Sequence, residues 1–264
     1  MKPLAAVIIA VLISTGLALP AQAAERLNDK QVKALVENID RGFETWKDAL
    51  AKRNMDDAVI KSATGTVDVK KFLKDFKDEI GLMKDRVKPD YAANPEVTTV
   101  LHRASDVERR AQQPGQNPAA ESKALSAQLA ALAAAYGTAF PVPSADSNAM
   151  RLADKEVVAR LLEMEQQSKT VAAEADKSMK QAKAPATDRD KVKQAFSGLA
   201  SSLKQTRSMV GAGTATGAQA ATLMATAKAA AGSVGAVSLS GPGKTALASL
   251  EANGSVVSKA FGLP

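Results

Sequence analysis

From Val32 to Leu50 an apolar series runs through Val32, Val36, Ile39, Phe43, Trp46 and Leu50. From Val69 to Val87 a second series runs through Val69, Leu73, Phe76, Ile80, Met83 and Val87. Both runs step by 4, 3, 4, 3, 4. At about 3.6 residues per turn, that spacing gathers six side chains into one narrow helical stripe. It fits no strand, where successive side chains alternate faces. A helix cannot bury such a stripe by itself, so the chain is constrained to pack helix on helix.

Local signals predict where these helices begin and end. Asn28 and Gln31 have capping-box spacing, with Leu27 and Val32 placed as a hydrophobic staple, so a first helix starts at Asn28 and ends near Asn54. The stretch Ser62–Thr66 (SATGT) reads as turn-rich, and a second helix runs from near Asp68 to the stop at Pro89. Asn94-Pro95 opens a third helix with the stripe Val97, Leu101, Ala104, Val107 and Ala111. After the loop QQPGQ, Asn117-Pro118 opens a fourth, with Leu125, Leu129, Leu132 and Tyr136 on one face and a stop at Gly137. FPVPSADSN then reads as a linker.

RLNDKQV at Arg26–Val32 returns as RLADKEV at Arg151–Val157, 125 positions later. The stripe Val157, Leu161, Met164, Ser168, Val171, Ala175 follows the first helix at the same offset, broken only by Ser168. The stripe Val192, Phe196, Leu199, Leu203, Thr206, Val210 follows the second at an offset of 123. Gly241-Pro242-Gly243 precedes a last helix, and AFGLP closes the chain where the first half has AYGTAFP. Four features in one order at nearly constant offset predict an all-α protein made of two tandem copies of a roughly four-helix antiparallel bundle unit. The expected division is a signal peptide over 1–23, a first repeat over 24–146 and a second over 147–264. The second is divergent and Ala/Gly-rich. It keeps Phe196 and Phe261 where the first has Phe43, Trp46, Phe72, Phe76, Tyr91, Tyr136 and Phe140, which predicts a looser core.

The signal peptide rests on Lys2, the apolar run Leu4–Leu19, Pro20 and the small-x-small sequence Ala21-Gln22-Ala23. These predict export to the periplasm or beyond after cleavage near Ala23, with no transmembrane segment in the mature chain. The chain has no cysteine, so disulfides and c-type haem attachment are excluded. Its formal charge of +7 is unevenly placed: 24–146 holds 19 Lys and Arg against 19 Asp and Glu, whereas 147–264 holds 15 against 9. The densest part of the excess is Lys177, Lys180, Lys183, Arg189, Lys191, Lys193, Lys204 and Arg207, the candidate contact for an anionic surface.

Other motifs read as structure. Gly241–Thr245 resembles the end of a phosphate-binding loop but has Ser238 where the pattern needs glycine, and no strand precedes it. Gly211, Gly213 and Gly217 have the wrong spacing for a dinucleotide loop and suit close packing or a break between helices. His102, the single histidine, falls with Thr98, Ser105 and Arg109 on the predicted polar face of the third helix. One histidine supplies no di-iron or zinc site and no evident nucleophilic triad. Asp56-Asp57 and Asp78-Glu79 read as solvated helix faces or partners of nearby lysines. Thus no catalytic, cofactor-binding or metal-binding residue is expected. Nucleic acid is not an expected partner, because no aromatics interleave with the basic residues.

The runs RLNDKQVKALVENIDRGFETWKDAL, VKPDYAANPEVTTVLHRASDVERR and AYGTAFPVP resemble a group of exported bacterial helical proteins of unassigned function, shorter chains with one copy of this unit. The resemblance covers Leu27 to Pro143 and extends to the second copy in outline. It implies a helical, secreted product and assigns no catalytic residue, ligand or partner.

The expectation is a non-enzymatic exported protein that binds or scaffolds in the cell envelope, through an anionic envelope component or a protein partner. The alternative is a periplasmic chaperone-like binder of unfolded clients that uses the Ala-rich second copy as an adaptable apolar face. A catalyst or cofactor carrier would need a bound metal or a visible absorption band.

Overall fold

The computed structural model describes residues 26–62, 65–111 and 119–263. The predicted signal peptide, the loop QQPGQ and Asn117-Pro118 lie outside the described residues. The fold is all-α, with eight helices among the described residues. They are α1 (Asp29–Ala51), α2 (Val69–Arg86), α3 (Asn94–Ala111), α4 (Ala119–Ala135), α5 (Asp154–Gln181), α6 (Ala186–Ala212), α7 (Gly217–Ser233) and α8 (Gly241–Ala260).

Between α1 and α2 the structure adds two strands that the sequence reading lacked. β1 (Val59–Ser62) and β2 (Gly65–Asp68) pair antiparallel on either side of the stretch read as turn-rich, with Ile60 opposite Val67, and Ala63 and Thr64 lie outside the described residues. The segment is short and lacks a clean alternating pattern, so periodicity could not reveal it. α1 ends at Ala51, three residues before the expected Asn54, and Asn54 takes a left-handed backbone with φ of 55°.

α1 packs on α2 and α4, and α2 on α3; α5 packs on α6 and α8, and α6 on α7. Two apolar clusters result, one from Val32 to Ala153 and one from Val157 to Phe261. Every member of the two 4-3 stripes is buried, as are the stripes of α5 and α6. Phe43 meets Phe76 edge-on at 5.3 Å and Trp46 at 6.1 Å between ring centroids. Tyr91 is 40% exposed and adds little to the core, contrary to its place among the expected packing aromatics. Ser168 is buried, and its hydroxyl donates to the Glu165 carbonyl at 2.8 Å, which satisfies it within its own helix.

Charged side chains brace α1 against α2. Lys77 lies 2.6 Å from both Asp40 and Glu44, and Lys84 lies 2.9 Å from Asp40. Arg103 of α3 grips Glu79 of α2 with two hydrogen bonds of 2.6 Å.

FPVPSADSN is not a free linker. It is bound along α3, antiparallel to it. The Val142 N–H donates to Ser105 Oγ at 2.8 Å, and the Ala149 N–H donates to Thr98 Oγ1 at 2.9 Å. Asn94 exchanges two hydrogen bonds with the Arg151 backbone. Ser105, expected on a solvated face, is therefore fully buried. The polar stripe of α3 serves the backbone of a neighbouring segment, whose N–H groups need acceptors once buried.

Candidate functional site

The two occurrences of the repeated motif lie against each other. The α1 N-terminus is closed by Asn28, whose Oδ1 accepts from the Gln31 N–H at 2.9 Å while Gln31 returns a bond of 2.8 Å. The second occurrence has Ala153 at that place, which offers no side-chain acceptor. The Asp154 N–H donates instead to Asp29 Oδ2 at 2.9 Å, and the Asp29 N–H donates to Asp154 Oδ2 at 2.9 Å. The arginines repeat the exchange. Arg26 lies 2.6 Å from Asp154 and donates to the Leu152 carbonyl at 2.9 Å; Arg151 lies 2.6 Å from Asp29 and donates to the Leu27 carbonyl at 2.9 Å.

This clasp is buried. Burial, reinforced by the nearby Arg151, lowers the Arg26 guanidinium below its ordinary value. Burial likewise raises Asp29 above the usual aspartate range, and outweighs the Arg151 charge. The clasp joins two arginines to two aspartates with no net charge, so its chemistry is that of a joint between the halves. The repeated motif is visible in the sequence, whereas the contact between its two occurrences appears only in the fold.

Six of the eight candidate basic residues gather where α5 ends and α6 begins: Lys177, Lys180, Lys183, Arg189, Lys191 and Lys193. Acids interleave with them. Lys180 pairs with Asp176 at 2.6 Å and Lys191 with Asp188 at 3.3 Å. Lys180 holds Asp176 below the usual range, with Arg189 and Lys193 adding to the effect. Lys177, Lys183 and Lys193 are exposed and form no ion pair among the described residues. Lys204 and Arg207 are not brought to this cluster. Lys204 is 11 residues beyond Lys193, about 16 Å along the helix at about 1.5 Å per residue. Arg207 pairs with Glu165 at 3.1 Å.

His102 is half-buried, with Nε2 2.7 Å from the Ser147 carbonyl, so it fastens the bound segment rather than standing free on the surface. Gly241–Lys244 form the first turn of α8 instead of preceding it. Ser240 caps that turn and its hydroxyl donates to Glu174 at 2.5 Å, placing a carboxylate where a phosphate loop would hold phosphate. Gly213 ends α6 with φ of 70°, a break between helices, and its carbonyl accepts from Asn28 Nδ2 at 3.0 Å. Among the described residues, no three His, Cys, Asp or Glu side chains come together as a metal site, and no helix is long and apolar enough to cross a membrane.

A groove of about 350 Å³ opens between α7 and α8. Met224, Ala227, Ala231, Leu250 and Gly254 line it, with Lys228, Glu251 and Lys259 at its rim. The small residues of α7 are plain in the sequence, whereas the groove depends on how two helices of weak amphipathicity pack.

These features define a helical bundle protein with a buried inter-half joint, a basic end and an apolar groove. Compared with family models, curated proteins and solved structures, the chain matches none.

Proposed function

We propose that this protein is a non-enzymatic, exported binding or scaffolding protein of the cell envelope that meets an anionic surface with the α5–α6 end of its second half. The gathering of Lys177, Lys180, Lys183, Arg189, Lys191 and Lys193 at that end carries the reading. Lys204 and Arg207 are left out of the contact by their distance and by the Arg207–Glu165 pair. The two halves are read as copies of one unit. In support, Gly137 and Gly262, 125 positions apart, have φ of 67° and 66°, and the Arg–Asp bonds are reciprocal.

The test uses the full chain, because cutting near Asp146 would expose the Arg26–Asp154 pair. Binding to vesicles rich in phosphatidylglycerol is expected at low salt and lost as salt shortens the screening length. Replacing Lys177, Lys183 and Lys193 by Glu together removes it. Equal binding to neutral phosphatidylcholine vesicles, or binding that high salt leaves unchanged, overturns the reading.

The exposed Ala221 and Ala225 face of α7 favours the second reading, a chaperone-like binder of unfolded clients. Suppression of client aggregation that persists at high salt would select it over the first.

A further inference from the structure

The α7–α8 groove has a filled counterpart in the first half. There, Ala104 and Glu108 of α3 and Leu125, Ser126 and Leu129 of α4 surround a space of only about 20 Å³, and Phe140 lines it. Shifted by 123 in α7 and 125 in α8, these positions are Ala227, Ala231, Leu250, Glu251 and Gly254, all lining the open groove.

Two differences accompany the wider second groove. Gly254 stands where Leu129 projects, and none of the residues lining the groove takes the place of Phe140. The outer face of α7 differs in the same sense. Thr98, His102 and Ser105 each bind the backbone of the bound segment; their counterparts Ala221, Ala225 and Lys228 are exposed. Among the described residues the same groove therefore occurs twice, once lined by Phe140 with the segment after it bound along α3, and once without such a segment.

We propose that the α7–α8 groove binds an extended peptide segment with an aromatic anchor and an acidic residue a few positions later, as Phe140 lines the first groove and the residues after it bind along α3. Charge complementarity fixes the acidic part. Lys228 and Lys259 outnumber Glu251 at the rim, and Lys228 replaces the serine that meets the segment at Val142. The occupant of the first groove has Asp146 as its one charged side chain. An aromatic side chain suits a concave apolar site because it buries a large area for few lost rotamers. This site is separate from the basic α5–α6 end, and vesicle binding can fail while the groove still binds.

The probe is a fluorescein-labelled peptide of Thr138–Ala149, TAFPVPSADSNA, titrated by anisotropy against the full chain. Saturable binding is expected. Gly254→Leu, which restores the first-half side chain, should weaken it about tenfold or more, and Lys228→Glu less. A peptide with Ala in place of the phenylalanine should lose binding with the protein untouched, which guards against a misfolded groove variant. Absence of saturable binding, or equal binding by wild type and a folded Gly254→Leu protein, overturns the proposal. So does a fluorescent fatty acid that binds in a Gly254→Leu-sensitive way while the peptide does not, since the groove then takes an acyl chain.

Discussion

Asp29 and Asp154 each cap the other's helix: the backbone N–H of one donates to the carboxylate of the other at 2.9 Å in both directions. A helix N-terminus leaves several N–H groups unpaired, and a carboxylate also suits the positive end of the helix dipole. Here the acceptor comes from the opposite half, so the two helices satisfy each other only when the halves are docked. Arg26 and Arg151 then neutralise the pair of carboxylates. A buried ionic group of this kind contributes less to net stability than to fixing one arrangement, because desolvation offsets much of the attraction.

Removing one member should therefore cost more than the pair is worth. Arg151→Ala leaves Asp29 buried without its cation and should destabilise by about 3–5 kcal/mol. Arg26→Ala should act in the same direction through Asp154. Urea unfolding of these variants and of the Asp29→Ala/Arg151→Ala double variant checks this. A double variant as unstable as the sum of its singles would show that the two side chains do not couple.

Asp40 gives a stability term at acid pH. Burial opposes its charge, but Lys77 and Lys84 outweigh it and hold the carboxyl below its ordinary value of 3.8. Its folded pKa is depressed, so its contribution is full above that value and is lost as pH falls through the lower folded one. Thermal melts of wild type should drop across that window. Asp40→Asn should be less stable at neutral pH and show a smaller drop. A parallel drop in both proteins would assign the acid sensitivity elsewhere.

Ser105→Ala removes the acceptor for the Val142 N–H from a fully buried site. The cost should be about 1 kcal/mol, the net worth of one buried hydrogen bond. Hydrogen exchange locates the effect: the Val142 and Ala149 amides should lose protection while those of α1 keep theirs.

Gly254→Ala should stabilise the protein by about 0.5–1 kcal/mol, the helix-interior difference between the two residues. Its new Cβ would meet Met164 Cε at 3.6 Å and Met224 Sδ at 3.8 Å, ordinary contacts with flexible side chains. A lower melting temperature would mean that α8 packs on α5 and α7 more closely than these distances allow.

The helices of this protein were legible because their signals are local. The 4-3 spacing of Val32 to Leu50 and of Val69 to Val87 named the buried stripes, and Asn28 and Asp68 cap the helices that they were expected to start. The hairpin at Val59–Asp68 escaped because four-residue strands leave little periodicity. Ser105 was misplaced because a polar residue on a helix looks solvent-facing until a neighbouring backbone needs it.

The sequence by itself determined helix type, most helix starts and the stripes that form the two cores, since these follow from side-chain period and capping within a few residues. Tertiary structure alone decided that the two RL-x-DK motifs face each other, that Phe140–Ala149 closes one groove, and that its counterpart at Gly254 stays open. Those outcomes join distant residues, 37 positions apart in the Ser105–Val142 bond and 128 in the Arg26–Asp154 pair. Such pairings are set by complementary charge, shape and unpaired backbone groups between elements, which no local period in the sequence records.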